Sequence, residues 1–489
     1  MPTTPPLDIT GKRITVMGLG RFGGGVGVSR WLAAPPNNCD VLVTDLDPAE
    51  KLADSLSRLQ TDIDTGRIRT RLGEHNVSDF TDTDVVVANP AVPKPWDNRF
   101  LRAAHAAGVP VTTEIRLLVE RLPSRERTIG ITGTAGKSTT SAMIAHALKA
   151  LGQTVHLGGN IGGSLLGDLQ SIRRDDWVVL ELSSAMLYWL DADAGYAGAP
   201  GWSPRVAVVT NIAANHIDWH GEVGHYARSK RVITRHQQPG DVLVTSAAVG
   251  GADSVDADTD PPSWRPRSGV TAARVNIEPE RARQSVPTLK VPGLHNRINA
   301  LVAAEAVAQA LATSDQDRAD LRQRAIKAIA EYPGLVHRLQ MVGFCELAGG
   351  GAARAYNDSK CTTPEAAMLA LAAMDDEPGL GVGRVHLIAG GYDKKVDLSP
   401  MAVAAARCAG VYTVGLTGPA IAKQVIAAGG TAYQCGTVEA AVSLARRQMK
   451  DGDALLLSPA CASWGQYVNF EQRGDEFVRL VTQRASLPV

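Results

Sequence analysis

Twice in this chain an apolar run stops at glycines and resumes as a helix, and that junction restricts the possible folds more than any other feature. Ile14-Thr-Val-Met-Gly18-Leu-Gly20 precedes a helical stretch over Val26–Leu32. Thr128-Ile-Gly-Ile-Thr132 enters a second glycine turn, and the helix after it carries Ile144, Ala147, Leu148 and Leu151. Those four positions follow the i, i+3, i+4, i+7 spacing of a core-facing helix. A strand apolar on both faces, a glycine turn and an amphipathic helix together make the repeating unit of a parallel sheet. The pattern continues with Val41–Thr44 ending at Asp45, and with Val85–Ala88 stopping at Asn89-Pro90 before an Ala-rich helix at Arg102–Ala107. Trp177–Leu182 and Arg205–Thr210 read as further strands, and an Ala-rich helix runs from Asn296 to about Ala312. Beyond a break at Tyr332-Pro-Gly334 a last series begins, with strands at Ala353–Asn357, Val385–Ala389, Val411–Gly415, Thr431–Gln434 and Ala454–Ser458. The 489 residues, at roughly 150 per domain, predict three α/β domains with boundaries near 112 and 334.

Fifty Lys+Arg balance fifty Asp+Glu, which removes the sequence-independent attraction that drives binding to nucleic acid or anionic membranes. No apolar run reaches the roughly 18–20 residues of a membrane span, and the opening MPTTPPLDITGKR has no apolar signal core. A cytoplasmic protein is expected. The six cysteines include no Cys-x-x-Cys pair, so they read as small buried hydrophobes rather than as a zinc site or disulfide framework. The Asp-, Pro- and Ser-rich run between Gly250 and Gly269 reads as a surface loop with no catalytic role.

Gly18-Leu-Gly20-Arg-Phe-Gly23 is a G-x-G-x-x-G between strand and helix. Its glycines suit a nucleotide diphosphate on a helix N-terminus, and Asp45, closing the next strand, suits a ribose hydroxyl. The motif does not say which nucleotide, and a turn that merely packs helix on strand gives the same pattern. Gly130-Ile-Thr-Gly133-Thr-Ala-Gly136-Lys137-Ser138-Thr139 is more specific. Main-chain N–H groups there can cradle phosphates, Lys137 can reach the β- and γ-phosphates, and Ser138 can ligate Mg²⁺. Glu181 ends an apolar strand, where a lone carboxylate is costly; bound Mg²⁺ relieves that cost, and so would a neighbouring cation. Asn211-Ile-Ala-Ala-Asn-His216-Ile-Asp218-Trp-His220 gathers amide, imidazole and carboxylate groups at a strand's carboxyl end. Lys230, taken by itself, reads as a solvated lysine. Asn296 and Asn299 open the Ala-rich helix with amides that suit either a purine edge or an N-cap.

In this order, Thr132-Gly-Thr-Ala-Gly-Lys-Ser-Thr139, Gly159-Asn-Ile-Gly162, Glu181-Leu-Ser-Ser184, the Asn211–His220 cluster, Tyr226 with Lys230, Gly293 with His295-Asn296 and Asn299, and His337-Arg338 resemble the Mur ligase family. These are ATP-dependent amide-forming enzymes of peptidoglycan precursor synthesis. Asn357-Asp-Ser-Lys360, Gly390-Gly391 with Lys394, Leu457-Ser-Pro-Ala-Cys-Ala-Ser463 and Asn469-Phe-Glu-Gln-Arg-Gly474 resemble the members that add D-glutamate. The Asp-Asn-Pro-Arg motif of diamino-acid-adding members does not occur.

The resemblance implies a Rossmann-like UDP-sugar domain over 1–112, a central P-loop ATPase domain over 113–334 and a Rossmann-like amino-acid domain over 335–489. It implies that the carboxylate of UDP-N-acetylmuramoyl-L-alanine takes the γ-phosphate of ATP, and that D-glutamate displaces phosphate from the resulting acyl phosphate. The nucleotide contacts it implies are Gly133, Thr134, Ala135, Gly136, Lys137, Ser138 and Thr139 for the phosphates. Asn296 and Asn299 fall to the adenine, with Arg338 and Asp358 on phosphate and ribose. It implies two Mg²⁺ sites, one on Ser138 and Glu181 and one on His216, with Lys230 carbamylated. Lys137, His216, Lys230 and Lys360 carry the catalytic roles. Gly18, Gly20, Gly23, Asp45, Asn89 and Asn160 fall to the UDP-sugar, and Thr362, Lys394, Ser463 and Phe470 to D-glutamate. A monomer without nucleic-acid or membrane partners, serving cell-wall synthesis, cell shape and division, completes the expectation.

The chain departs from the family pattern at Ala135, Asn215, Ser184-Ala-Met-Leu187, the glycine-heavy Gly23-Gly-Gly-Val-Gly27, and Leu46-Asp47. The competing readings are a sibling ligase, either of another Mur step or folylpolyglutamate-synthase-like, a nucleotide-binding scaffold, and an NAD-dependent dehydrogenase read from the first motif alone. The last leaves Gly136-Lys-Ser unexplained.

Overall fold

The structure, a computed structural model, describes residues 5–20, 23–213, 215–246, 264 and 266–483. Most of the run between Gly250 and Gly269 lies outside them, as do Arg21 and Phe22 of the first glycine motif. The described strands build three sheets. The first contains β1 (Arg13–Met17), β2 (Asp40–Asp45), β3 (Ile68–Leu72), β4 (Val85–Ala88) and β5 (Val111–Thr112), in the order β3-β2-β1-β4-β5. The second contains β6 (Thr128–Thr132), β7 (Val155–Gly159), β8 (Trp177–Glu181), β9 (Val206–Val209), β10 (Val242–Ser246) and β11 (Thr271–Val275), ordered β11-β10-β9-β6-β8-β7. Both are wholly parallel. The third contains β12 (Gln340–Glu346), β13 (Ala352–Asn357), β14 (Val385–Gly390), β15 (Gly410–Val414), β16 (Ala432–Gly436) and β17 (Ala454–Leu457), ordered β12-β13-β17-β14-β15-β16. Its edge strand β12 runs antiparallel to β13.

Helices cover both faces of the parallel sheets, so the central strands are buried on each side, which is why they read as unbroken Val/Ile/Leu runs. In the first two sheets the order places β1 between β2 and β4, and β6 between β8 and β9. The chain reverses its winding beside β1 and beside β6, and the crevice at such a switch point is where doubly wound sheets hold ligands. The two glycine turns that dominate the sequence emerge at these two positions.

By packing, the chain forms two compact units, one of Met1–Ile277 with Asn299–Ile326 and one of Glu278–Ile298 with Lys327–Val489. The first two sheets share the first unit and one continuous apolar core, which runs from Ile14, Val16 and Val41 to Val178, Leu180 and Val209. In the second unit the segment around Pro279–Ser285 is fastened by Arg283, whose guanidinium lies 2.8 Å from Asp376. Among the described residues no helix is long and apolar enough to cross a membrane.

A buried cation ties the first sheet's last helix, Glu114–Val119, to the segment that follows β8. Arg116 is 1% exposed and donates to the carbonyls of Trp189 (2.8 Å), Pro200 (2.7 Å) and Asp191 (2.6 Å), with the Glu120 carboxylate 3.5 Å away. Removing one partner of a buried ion pair leaves the other uncompensated, at a cost of about 3–5 kcal/mol. Arg116→Met is therefore expected to lose stability in that range, as measured by urea unfolding; a loss below 1 kcal/mol would contradict this role for the pair.

Candidate active site

The turn after β6 is closed by its own backbone. Gly133 has φ +150°, and a Cβ there would stand 2.0 Å from Thr210 Oγ1; Gly136 has φ +80°, and a Cβ there would meet Asn299 Oδ1 at 2.7 Å. Only glycine fits either position. The segment following β9 grips the turn. Thr210 Oγ1 and Asn211 Nδ2 donate to the Ala135 carbonyl (2.7 and 3.0 Å), and Asn211 Oδ1 accepts from the Ala135 N–H (2.9 Å). Thr134 Oγ1 lies 2.9 Å from the hydroxyl of Tyr226 on helix Val223–Arg235. Lys137, first residue of helix Lys137–Ala150, folds back on the turn and donates to the carbonyls of Gly133 (3.0 Å) and Thr134 (2.9 Å). Ser138 and Thr139 follow on the same helical turn, half-buried.

Lys230 is not a solvated lysine. It is 1% exposed, donates to the Gly133 carbonyl (2.9 Å) and Thr132 Oγ1 (3.3 Å), and lies 4.8 Å from the Tyr226 ring centre. Burial, and then the nearby Lys137 charge, hold its ammonium well below the usual lysine range. Glu181 is also 1% exposed. Asn160 Nδ2 donates to its Oε1 (2.8 Å), and the Asn160 N–H donates to its main-chain carbonyl (2.9 Å). Gly159 permits this approach, since a Cβ there would stand 2.3 Å from the Glu181 carbonyl oxygen. Glu181 Oε2 is buried and has no hydrogen-bond partner. An unpartnered buried carboxylate oxygen is a vacancy that a cation fits.

His216 adopts a left-handed conformation (φ +51°) as N-cap of helix Ile217–His220. Burial, then the charges of Lys230 and Lys137, hold its imidazole below the usual range, which favours the neutral form that ligates metal. His220, buried at the end of that helix, lies 2.9 Å from Ser184 Oγ and 2.8 Å from His225 Nδ1, and burial pushes its ring down to about 3. Among the described residues no cluster of three or more His, Cys, Asp or Glu side chains stands ready for a metal. Of the four groups assigned to metal by sequence only Glu181 and His216 are of those types; Ser138 contributes a hydroxyl, and Lys230 as it stands an amine.

In the first sheet Gly18 (φ +91°), Gly20 (φ +65°) and Gly23 (φ +89°) all require glycine. Asn89 Nδ2 donates to the Gly18 carbonyl (3.3 Å). Asp45 accepts from the N–H groups of Gly20 (3.0 Å) and Asp47 (2.9 Å), so it shapes the glycine turn and keeps lone pairs for a hydroxyl. A cavity of about 810 Å³ joins the two switch points, lined by Gly18, Gly20, Asp45 and Asn89 from the first sheet and by Lys137, Asn160, His216 and Lys230 from the second. Glu114, Ser183 and Trp219 also line it; none was assigned a role from sequence. Glu114, whose carboxyl burial pushes upward, stands in a segment without a motif.

The second unit groups the remaining candidates at the carboxyl ends of its strands. Arg338 lies in a turn where His337 (φ +62°) and Leu339 (φ +44°) are both left-handed. Asp358 holds this turn by accepting from the Leu339 N–H (3.0 Å) while its other oxygen accepts from Ser458 (2.8 Å). Burial pushes the Asp358 carboxyl up to about 7. Lys360 lies 4.8 Å from the Phe470 ring centre, and Lys394 lies 5.5 Å from that of Trp464. Ser463 is buried at the end of the loop after β17, and Thr362 is half-buried after Cys361. Asn296 is buried and donates to the Pro292 carbonyl (2.8 Å), as a helix-start amide does.

Two family models match the chain: the Mur ligase middle domain over residues 131–260 and the Mur ligase glutamate ligase domain over 337–461. The UDP-N-acetylmuramoylalanine–D-glutamate ligase of Roseiflexus sp. (strain RS-1) is 34% identical, covering 97% of this chain and 99% of the relative. The ligase of the same description from Anaeromyxobacter dehalogenans (strain 2CP-C) is 34% identical over 98% and 99%. Among solved structures, UDP-N-acetylmuramate-alanine ligase MurC from Thermotoga maritima has the same fold, with TM-score 0.54 and 19% identity over 96% of this chain and 98% of that one.

The close approach of Thr210 to Gly133 yields a direct test. Gly133→Ala is expected to weaken ATP binding by about 5- to 150-fold, because the strained turn costs on the order of 1–3 kcal/mol. Titration with a fluorescent ATP analogue measures it, and unchanged affinity in a folded variant would refute the steric account.

Proposed function

The chain belongs to the Mur ligase family, and from that premise we propose that it joins D-glutamate to UDP-N-acetylmuramoyl-L-alanine at the expense of ATP, in peptidoglycan precursor synthesis. The observation that carries this reading is the shared cavity, in which a phosphate-binding turn, a buried lysine and a histidine face the glycine turn of a second sheet. A dehydrogenase needs only that glycine turn.

In the proposed reaction a carboxylate oxygen of the first substrate bonds to the γ-phosphorus of ATP as the bond to the bridging oxygen of ADP breaks. The deprotonated amine of D-glutamate then bonds to the acyl carbon, and phosphate leaves. The protein forms no covalent bond to either intermediate, so its contribution is placement and charge neutralisation. The turn from Gly133 to Thr139 holds the triphosphate, with Lys137 swinging from its carbonyl contacts onto the β- and γ-oxygens. Ser138 and Glu181 would hold one Mg²⁺, and His216 with a carbamylated Lys230 would hold a second; metal bound there would supply positive charge to the phosphoryl oxygens. Asn160 keeps Glu181 aimed. Gly18, Gly20, Gly23, Asp45 and Asn89 hold the UDP-sugar. Asn296 and Asn299 serve the adenine and Arg338 and Asp358 the phosphate and ribose. Lys360 faces the acyl phosphate, and Thr362, Lys394, Ser463 and Phe470 take D-glutamate. The division at 112 and 334 then assigns one substrate to each domain, in a cytoplasmic monomer.

A lysine buried and disfavoured as a cation presents a free amine, and CO₂ converts such an amine to a carbamate, an anion able to orient metal. We propose that modification for Lys230. Lys230→Ala is expected to be nearly inactive and to regain activity with acetate or another short carboxylate. Absence of rescue by every carboxylate, with a wild type insensitive to CO₂, would refute it. The substrate assignment is tested by phosphate release from ATP with UDP-N-acetylmuramoyl-L-alanine and each of a panel of amino acids. D-glutamate is expected to be the efficient acceptor, and preference for another amino acid would overturn the reading.

A further inference from the structure

Arg473, on helix Phe470–Thr482, is 1% exposed, among the most deeply buried charged residues of the second unit. Its Nε donates to Ser359 Oγ (3.0 Å), its Nη2 to the Ser359 carbonyl (2.8 Å) and its Nη1 to the Cys461 carbonyl (3.0 Å). All three acceptors are neutral, and among the described residues no carboxylate lies at ion-pair distance. Arginine is almost never buried without a counter-charge, because the desolvation penalty is several kcal/mol. The fork of three nitrogens explains the brace between loops, but the brace leaves the charge without a counter-charge. The charge itself therefore calls for an explanation.

Its position supplies one. Ser359 sits between Asp358 and Lys360, and its hydroxyl donates to the Phe470 carbonyl (2.8 Å). Cys461 is two residues before Ser463. Nη1 also reaches to 3.3 Å from where a Cβ on Gly391 would stand, at the start of the loop carrying Lys394. The loops leaving β13, β14 and β17, which bear Lys360, Thr362, Lys394 and Ser463, thus converge on one guanidinium. The acids nearby do not balance it: Asp393 is engaged by Lys395 at 2.7 Å, and Asp358 is turned toward Leu339 and Ser458.

We propose that Arg473 is a positioning residue for the amino-acid substrate, locking three substrate loops in register and holding a buried positive charge that a dicarboxylate amino acid balances on binding. This rests on the D-glutamate reading above. Selectivity for a dicarboxylate over its monocarboxylate amide follows, since only the former brings the second negative charge.

The experiment compares Arg473→Lys, Arg473→Met and Ser359→Ala by thermal unfolding and by KM for D-glutamate, KM for ATP and kcat in the phosphate-release assay. KM for D-glutamate is expected to rise on the order of 10-fold in Arg473→Lys and 100-fold in Arg473→Met, with KM for ATP within about twofold. The preference for D-glutamate over D-glutamine is expected to shrink in Arg473→Met and persist in Ser359→Ala. Folded variants with wild-type KM for D-glutamate, or with both KM values rising in parallel, would overturn the proposal. Should Arg473→Met not fold, the lysine and serine variants decide it. A wild-type enzyme without D-glutamate-dependent phosphate release would instead sink the substrate reading, whereas wild-type turnover with unaffected variants sinks only this inference.

Discussion

One carbonyl oxygen, that of Gly133, accepts from the ammonium groups of both Lys137 and Lys230, and much of the first unit is arranged so that this can happen. The carbonyl faces both lysines only because Gly133 takes a φ no other residue tolerates. A Cβ there would also stand 2.0 Å from Thr210 Oγ1, at the neighbouring strand end, so only a hydrogen fits. Lys230 arrives from a helix docked through Tyr226 against Thr134, and Lys137 from the helix that the turn initiates. Two ammonium groups on one acceptor would repel each other in a medium of low polarity, and the Lys137 charge is, after burial, what holds the Lys230 ammonium below its usual range.

The protein's zero formal charge does not conflict with ligands that are all anionic. The positive potential is local. It comes from Lys137 after β6, from helix N-termini behind both glycine turns, and from Lys360, Lys394 and Arg473 at the third sheet. Elsewhere acids and bases pair on the surface, where each pair contributes little.

What could be read from sequence was what is contiguous in the chain. The two glycine turns, with their strand before and helix after, are local patterns, and so are the buried strands of uniform apolar residues. Edge strands were harder: Ile68–Leu72 contains Arg69, Thr70 and Arg71, and Thr271–Val275 is largely exposed, so neither looks like a core strand. The antiparallel β12 breaks the parallel pattern, and the Gly349-Gly-Gly351 turn that joins it to β13 is its one local signal. Within the site, Lys137 was legible because its neighbours define it. Lys230 by itself resembled a surface lysine, and only the family resemblance marked it. Arg473 fell inside the Asn469–Gly474 run that the resemblance marked but was given no role, since its role depends on Ser359, Gly391 and Cys461, which lie 114, 82 and 12 positions away.

Those separations have a thermodynamic consequence. The loops that would receive the amino acid leave the adjacent central strands β13, β17 and β14, brought together from across more than a hundred residues of chain. Their mutual arrangement depends on the pairing of β13, β17 and β14. A ligand seated there acts by linkage on the folding equilibrium of the entire unit, so occupancy and global stability become two readings of a single equilibrium.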